Sequence, residues 1–315
     1  MGAVEGSRSS RPGVLAAIGQ TPVVRLTGPG LDGSAEVWVK LEGFNPTGSY
    51  KDRMALAMIE GAERAGRLRP GQTVVEYTGG STGSSLALVC AIKGYPLRIV
   101  SSDAFAPEKI QTMRAFGAHV ELVHSPEGIT PTLIPTMRAR AAAIVAETGG
   151  YPTDQFNNQD MVDGYLGLGD ELVEQLDGRI DAIVLYVGTG GCYIGTTRAL
   201  RAAIPTIHRV AVEPAESPVL SGGAPGTHRI EGGGVGFVPP LLEPAMIDEV
   251  IAVPTEEAMD SARVAARAHG IWSGPSTGAN LVAASRVAAR MGPGHRVVTV
   301  AVDSGLKYLG GSLYR

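Results

Sequence analysis

Cysteine is almost missing from this chain: 315 residues hold only Cys90 and Cys192, each inside an apolar or glycine-rich segment. That argues against a disulfide scaffold and makes a reducing compartment the default. No apolar stretch approaches the roughly 20 residues needed to span a bilayer. The opening MGAVEGSRSSRPG lacks the apolar centre of a secretory signal, so a frayed N-terminus and a cytoplasmic protein are expected. Excess charge of either sign is also lacking. A net charge of −4 leaves no electrostatic footprint for nucleic acid or an anionic membrane. The six histidines show no metal-ligand spacing, and no nucleophile elbow or cysteine-rich metal site occurs, so no metal is expected.

Glycine, by contrast, is abundant: 43 residues, about twice the usual share. The glycines gather at the ends of apolar runs, in TGGSTG, GTGG, EGGGVG and GPSTG, a pattern of tight loops that bring backbone close to a ligand. The runs themselves are short and rich in β-branched residues, predicting strands at 35–42, 72–78, 97–102, 119–124, 181–187, 209–213, 249–253 and 296–303. Alanine-rich helices are expected near 49–66, 83–93, 106–116, 133–148, 160–176, 192–203, 255–269 and 277–291. Continuous apolar strands alternating with helices predict an α/β protein with mostly parallel sheet. Two open sheets fit the irregular spacing better than a closed barrel, with a boundary near ETGGYPTD at about residue 150. Ligands of such sheets collect at the carboxyl ends of strands, where the glycine loops begin.

Three of these loops and one lysine invite chemistry. In DAIVLYVGTGGCYIG (181–195), Gly188, Thr189, Gly190 and Gly191 aim backbone N–H groups at a helix start, which suits a phosphate. A dinucleotide fingerprint fails there because Tyr193 stands where the third glycine belongs, although Glu213 imitates the ribose-binding acid. A P-loop fails because Thr196 follows Gly195 in place of lysine. Thr78-Gly79-Gly80-Ser81-Thr82 ends another strand and suits a carboxylate or a second phosphate, with simple helix capping as the alternative. Ser276 and Thr277 in IWSGPSTGAN present the same choice. In NPTGSYKDRMALAM (45–58), Ser49 and Asp52 have capping-box spacing, which puts Lys51 in the first turn of a helix. A cation there opposes the helix dipole by roughly 0.3–1 kcal/mol, so a compensating function is worth seeking.

Together these motifs resemble the cysteine synthase family, which includes O-acetylserine sulfhydrylase and the catalytic core of cystathionine β-synthase. These are pyridoxal-phosphate enzymes of fold type II, like the tryptophan synthase β chain. The resemblance runs from about residue 14 to 310, through IGQTPVVRL (18–26), NPTGSYKDR (45–53), YTGGSTG (77–83), DQFNNQD (154–160), VGTGGC (187–192), VAVEPAESPVL (210–220), EGGGVGF (231–237) and SGPSTGA (273–279). It implies a smaller α/β domain at 41–149 and a larger one from 1–40 plus 150–315.

The resemblance also implies roles. Lys51 would hold pyridoxal phosphate as a Schiff base and later act as general base. Gly188, Thr189, Gly190, Gly191 and Cys192 would bind the phosphate, and Ser276 the pyridine nitrogen. Ser81 would stand near the ring oxygen. Thr78, Gly79, Ser81, Thr82 and Gln155 would receive the substrate α-carboxylate, with Gly232 on the rim. The implied reaction is β-replacement on an activated serine, O-acetylserine or O-phosphoserine, with sulfide or a related nucleophile, through an aminoacrylate intermediate. The alternatives are a β-eliminating lyase, β-replacement with an amine as in diaminopropionate synthesis, and, remotely, an NAD-dependent oxidoreductase. A homodimer is what the family implies. The chain departs from the family pattern at Ser81 (usually asparagine), Gly79 (serine) and Cys192 (threonine), and Tyr50 and Tyr77 are bulkier than their counterparts.

Overall fold

The strands segregate into two sheets because two sets of apolar runs pair separately. In the computed structural model, which describes residues 13–27, 33–127, 130 and 132–315, six strands form the larger sheet. They are β1 (Val23–Arg25), β2 (Glu36–Leu41), β7 (Ala182–Tyr186), β8 (His208–Pro214), β9 (Glu249–Val253) and β10 (Arg296–Ala301). Their order is β1-β2-β10-β7-β8-β9, parallel throughout except β1, which runs antiparallel to β2 with Val23 opposite Lys40. The smaller sheet is wholly parallel, in the order β5-β4-β3-β6. It is built from β3 (Val74–Tyr77), β4 (Leu97–Ser102), β5 (His119–Val123) and β6 (Tyr151–Pro152). The expected mixed α/β architecture with mostly parallel sheets is thus observed. The N-terminal residues expected to fray lie outside the described ones.

Period-two alternation divides the larger sheet between two cores. Ile183, Leu185 and Val187 face one apolar cluster, which extends into the smaller sheet's helices, while Ala182, Val184 and Tyr186 face the other. The first is closed by α1 (Lys51–Arg64), α2 (Ser81–Lys93), α6 (Leu166–Gln175) and α7 (Gly191–Ala203), and the second by α8 (Thr255–His269) and α9 (Pro275–Met291). A third, beneath α4 (Leu133–Thr148), covers the outer face of the smaller sheet, and α3 (Pro107–Ala115) packs beside α2.

Two expectations need correction. The single helix expected over 160–176 is two, α5 (Gln159–Asp163) and α6, separated at Gly164-Tyr165. There the chain presses on α1: a Cβ on Gly164 would stand 2.8 Å from Arg53 O, and Tyr165 is fully buried. The capping box at Ser49 and Asp52 does not form either. Ser49 bridges Asp303 in extended pairing and Tyr50 N–H donates to Val302 O at 3.1 Å, so the helix starts only at Lys51. Ser49 Oγ then accepts from Lys51 N–H at 3.2 Å, while the Asp52 carboxylate turns back to the Thr47 N–H at 2.8 Å.

Candidate active site

The glycine loops after β3 and β7 open at the carboxyl ends of their strands, and the other two come to the β7 loop: Gly234 N–H donates to Val187 O at 3.2 Å, and Gly232 lies against both Gly188 and Ser276. Lys51 follows the turn Asn45-Pro46-Thr47-Gly48, closed by Gly48 N–H to Asn45 O at 2.7 Å with Gly48 at φ +73°. The turn is pinned to the end of β10 by Ser304 N–H donating to Gly48 O at 2.8 Å. Lys51 is buried, with Nζ 4.9 Å from the centre of the Tyr50 ring, which itself packs on Tyr165. Burial alone carries the Lys51 pKa from 10.5 down to about 8, so a neutral amine is accessible near neutral pH.

Beneath the lysine lies an ion network that the sequence did not disclose. Arg53 binds Glu42 and Glu171 with two hydrogen bonds each, at 2.7–2.8 Å. Lys40 adds a contact to Glu171 at 2.7 Å. Against the upward push of burial, Arg53 and Lys40 hold the Glu171 carboxyl at about 2. The helix carrying Lys51 is thereby anchored to α6 through charges satisfied on every side.

The loop Val187–Gly190 leads from β7 into α7, whose N-cap residue Gly190 has φ +89° and makes no side-chain cap. The close quarters explain the glycines: a Cβ on Gly188 would stand 2.4 Å from Gly232 O, and one on Gly191 1.9 Å from Met161 Sδ. Cys192 is buried, its thiol pushed up to about 12 by burial, so it stays a neutral side chain here. Glu213, the imitator of a ribose-binding acid, is occupied, accepting from Leu220 N–H, Ser221 N–H and Ser221 Oγ.

At the end of β3, Thr78 Oγ1 accepts from Gly80 N–H at 3.1 Å, and α2 begins at Ser81. Thr82 Oγ1 donates to Gln155 Oε1 at 2.9 Å and Gln155 Nε2 donates to Tyr77 O at 3.2 Å, joining Gln155 to this loop across 73 residues of sequence. Gly79 has a steric reason: a Cβ there would stand 2.6 Å from the Phe105 ring, so a serine would force that ring to move. Below the loop, buried Glu76 accepts from Thr153 Oγ1 at 2.6 Å and Gln155 N–H at 3.3 Å. Burial raises its pKa to about 7. A lone acid inside the apolar run VVEYT was the one signal for it in the sequence.

Ser276 and Thr277 part company. Thr277 Oγ1 accepts from Val302 N–H at 2.9 Å and is structural. Ser276 Oγ is buried without a hydrogen-bond partner among the described residues, and lies 3.9 Å from where a Cβ on Gly232 would stand. A buried hydroxyl without a partner is costly unless a ligand completes it. The donor set fits pyridoxal phosphate on this structure's own terms: a low-pKa amine, an uncapped helix N-terminus and an orphaned hydroxyl. Their segments are linked, since Tyr50 N–H donates to Val302 O, Val302 N–H to Thr277 Oγ1, and Gly232 lies against both Gly188 and Ser276. Among the described residues, no group of three or more His, Cys, Asp or Glu side chains could hold a metal ion.

Comparison with known proteins places the chain in a family. Residues 14–303 match the family model described as pyridoxal-phosphate dependent enzyme. The cysteine synthase of Staphylococcus aureus (strain Mu50) is 42% identical over 299 residues, covering 94% of this chain and 95% of that relative. The O-acetyl serine sulfhydrylase isoform 3 of Entamoeba histolytica superposes with a TM-score of 0.90 at 35% identity, covering 96% of this chain and 91% of that one. An O-acetylserine dependent cystathionine beta-synthase from Helicobacter pylori superposes with a TM-score of 0.90 at 34% identity, covering 97% and 99%.

Proposed function

Because the chain belongs to the pyridoxal-phosphate-dependent enzymes, with cysteine synthases among its relatives, we propose that it catalyses β-replacement on an activated L-serine to give L-cysteine. O-Acetylserine is the donor we propose and sulfide the nucleophile. What supports this reading is the buried Lys51 amine, the uncapped α7 N-terminus and the unpartnered Ser276 hydroxyl, with Gly232 lying against both Ser276 and the α7 loop at Gly188.

In this reading Lys51 Nζ carries the covalent link to the cofactor and, once released, takes the proton from the substrate Cα. The N–H groups of Gly188, Thr189, Gly190, Gly191 and Cys192 hold the phosphate at the positive end of α7. Ser276 Oγ hydrogen-bonds the ring nitrogen, and Ser81 faces the ring oxygen. Thr78, Gly79, Ser81, Thr82 and Gln155 receive the α-carboxylate, with Gly232 closing over the substrate. When bound, pyridoxal phosphate supplies the electron sink that stabilises a carbanion at Cα. A serine at the ring nitrogen is a weak acid and leaves the pyridine largely neutral, which suits prompt loss of a β-leaving group.

The division into a 41–149 domain and a remainder is supported by sheet membership: β3, β4 and β5 lie within the first and β2 and β7–β10 largely outside it, although β6, just past the boundary at 151–152, joins the smaller sheet. A cytoplasmic setting is in keeping with the two unpaired thiols and the lack of any described helix long and apolar enough to cross a membrane. A homodimer is supported by exposed Phe44, Leu306 and Leu309, on segments that meet where Gly43 lies against Asp303.

The test is direct. Purified protein supplied with pyridoxal phosphate should absorb in the near-visible, and borohydride should fix the label on the Lys51 peptide. O-Acetylserine with sulfide should then yield cysteine and acetate. Lys51→Ala should lose colour and turnover together; wild-type turnover in that variant would refute the reading.

A further inference from the structure

The rim segment Glu231–Phe237 is fastened at both ends to residues outside the catalytic set. At one end the Glu231 carboxylate pairs with the Lys109 ammonium of α3. Lys109 is held in turn: its ammonium lies 4.7 Å from the centre of the Tyr308 ring, and its Cδ fills the space 2.4 Å from where a Cβ on Gly80 would stand. The same side chain therefore packs under the substrate loop and grips the rim. At the other end the Phe237 ring tilts against Phe156 at 5.3 Å between centroids, and Phe156 directly follows Gln155. Between the two ends, Gly232, Gly234 and Gly236 have φ of +99°, +62° and +81°, and Gly234 N–H donates to Val187 O at 3.2 Å. The middle of the strap thus belongs to β7 and the phosphate loop, and its ends to elements attached to the smaller sheet. Glu231 and Phe237 both remain partly exposed, unlike the Lys109 they close towards.

We propose that Lys109 and Phe156 are positioning residues that keep this strap closed, and so set how often the reaction ends in cysteine and how often in pyruvate and ammonia. This rests on the β-replacement reading. In the productive outcome the Cβ–O bond of O-acetylserine breaks, acetate leaves with the electron pair, and a Cβ–S bond forms with sulfide. If water enters, O-acetylserine plus water gives acetate, pyruvate and ammonia, with no net redox change in either outcome. The strap covers Ser276 and Gly188, so closing it excludes water from the reacting carbon.

The experiment uses holoenzyme with Glu231→Gln, Phe237→Leu and the double variant, supplied with O-acetylserine and sulfide at fixed concentrations. Each single change should raise the pyruvate-to-cysteine ratio about tenfold, and the double variant more, as water gains access. Amide hydrogen exchange across 231–237 should quicken in step, with β7 and α9 unchanged, while Glu231→Asp and Lys109→Arg retain most of the wild-type ratio. An unchanged ratio overturns the proposal even where exchange quickens, and unchanged exchange overturns it outright. Wild-type protein that makes neither product sinks the β-replacement reading instead, and exchange alone still decides whether the ends are fastened.

Discussion

Lys51 and Ser276 carry opposite electrostatic problems, and each yields a measurement on cofactor-free protein. The Lys51 amine has a pKa of about 8 in the fold against 10.5 in the open chain, so folding releases its proton between those values. Stability of the apoprotein should therefore rise with pH from about 8 to 10.5, by up to about 3 kcal/mol. Below that window the buried cation is a liability, and Lys51→Met should be the more stable protein at pH 7. Urea denaturation of both proteins at pH 7 and 10 checks this; parallel pH profiles would contradict it. Ser276 is the reverse case, a polar atom left without a partner. Removing such a hydroxyl leaves nothing unsatisfied behind, so Ser276→Ala should melt within about 1 kcal/mol of wild type. Its cofactor should dissociate about tenfold more readily, a loss of about 1.4 kcal/mol in binding. A variant that loses stability and keeps its cofactor would make Ser276 a structural residue.

Among the elements, packing decides what sequence patterns only suggest. The pair α8 and α9 meets at Gly278, where a Cβ would stand 1.8 Å from Ala258 O. No side chain is there to move aside, so Gly278→Ala should cost about 3 kcal/mol by forcing the helices apart. Because α9 also carries Ser276, cofactor affinity should fall with stability, which thermal melting with and without pyridoxal phosphate would register. Long elements were legible from sequence: β4, β9, α4 and α8 fall where periodicity and β-branched runs put them. Strands β1 and β6, of three and two residues, carry too little pattern to stand out. The break between α5 and α6 was hidden because its cause is Gly164 meeting the backbone of α1, a contact far away in sequence. The candidate site divides the same way. Lys51, the glycine loops and Ser276 were singled out by local motifs, and Gln155 only by the family resemblance. Lys109 sits in PEKIQTMRA, which reads as an ordinary surface helix, and its partner Glu231 is 122 residues away.

For the molecule as a whole, the cluster of Lys40, Glu42, Arg53 and Glu171 ties three distant stretches of chain into one buried network. Such a cluster is weak evidence of net stability, but removing one partner strands the others. Arg53→Met should cost about 3–5 kcal/mol, because buried Glu42 would lose its Arg53 ion pair and buried Glu171 would keep only Lys40. Denaturation at pH 7 and again near pH 4 tests the cause: acid should narrow the gap to wild type by protonating the stranded carboxylates. The strand order has a consequence of another kind. The last strand in the chain, β10, lies between β2 and β7, so the larger sheet remains two separate pieces until residue 301 has been synthesised. The smaller sheet, contiguous from Val74 to Pro152, can be finished while half the polypeptide is still unmade. A ribosome stalled midway would thus expose one completed sheet and one whose central seam is bare, and the latter is what nascent-chain chaperones would be called upon to shield.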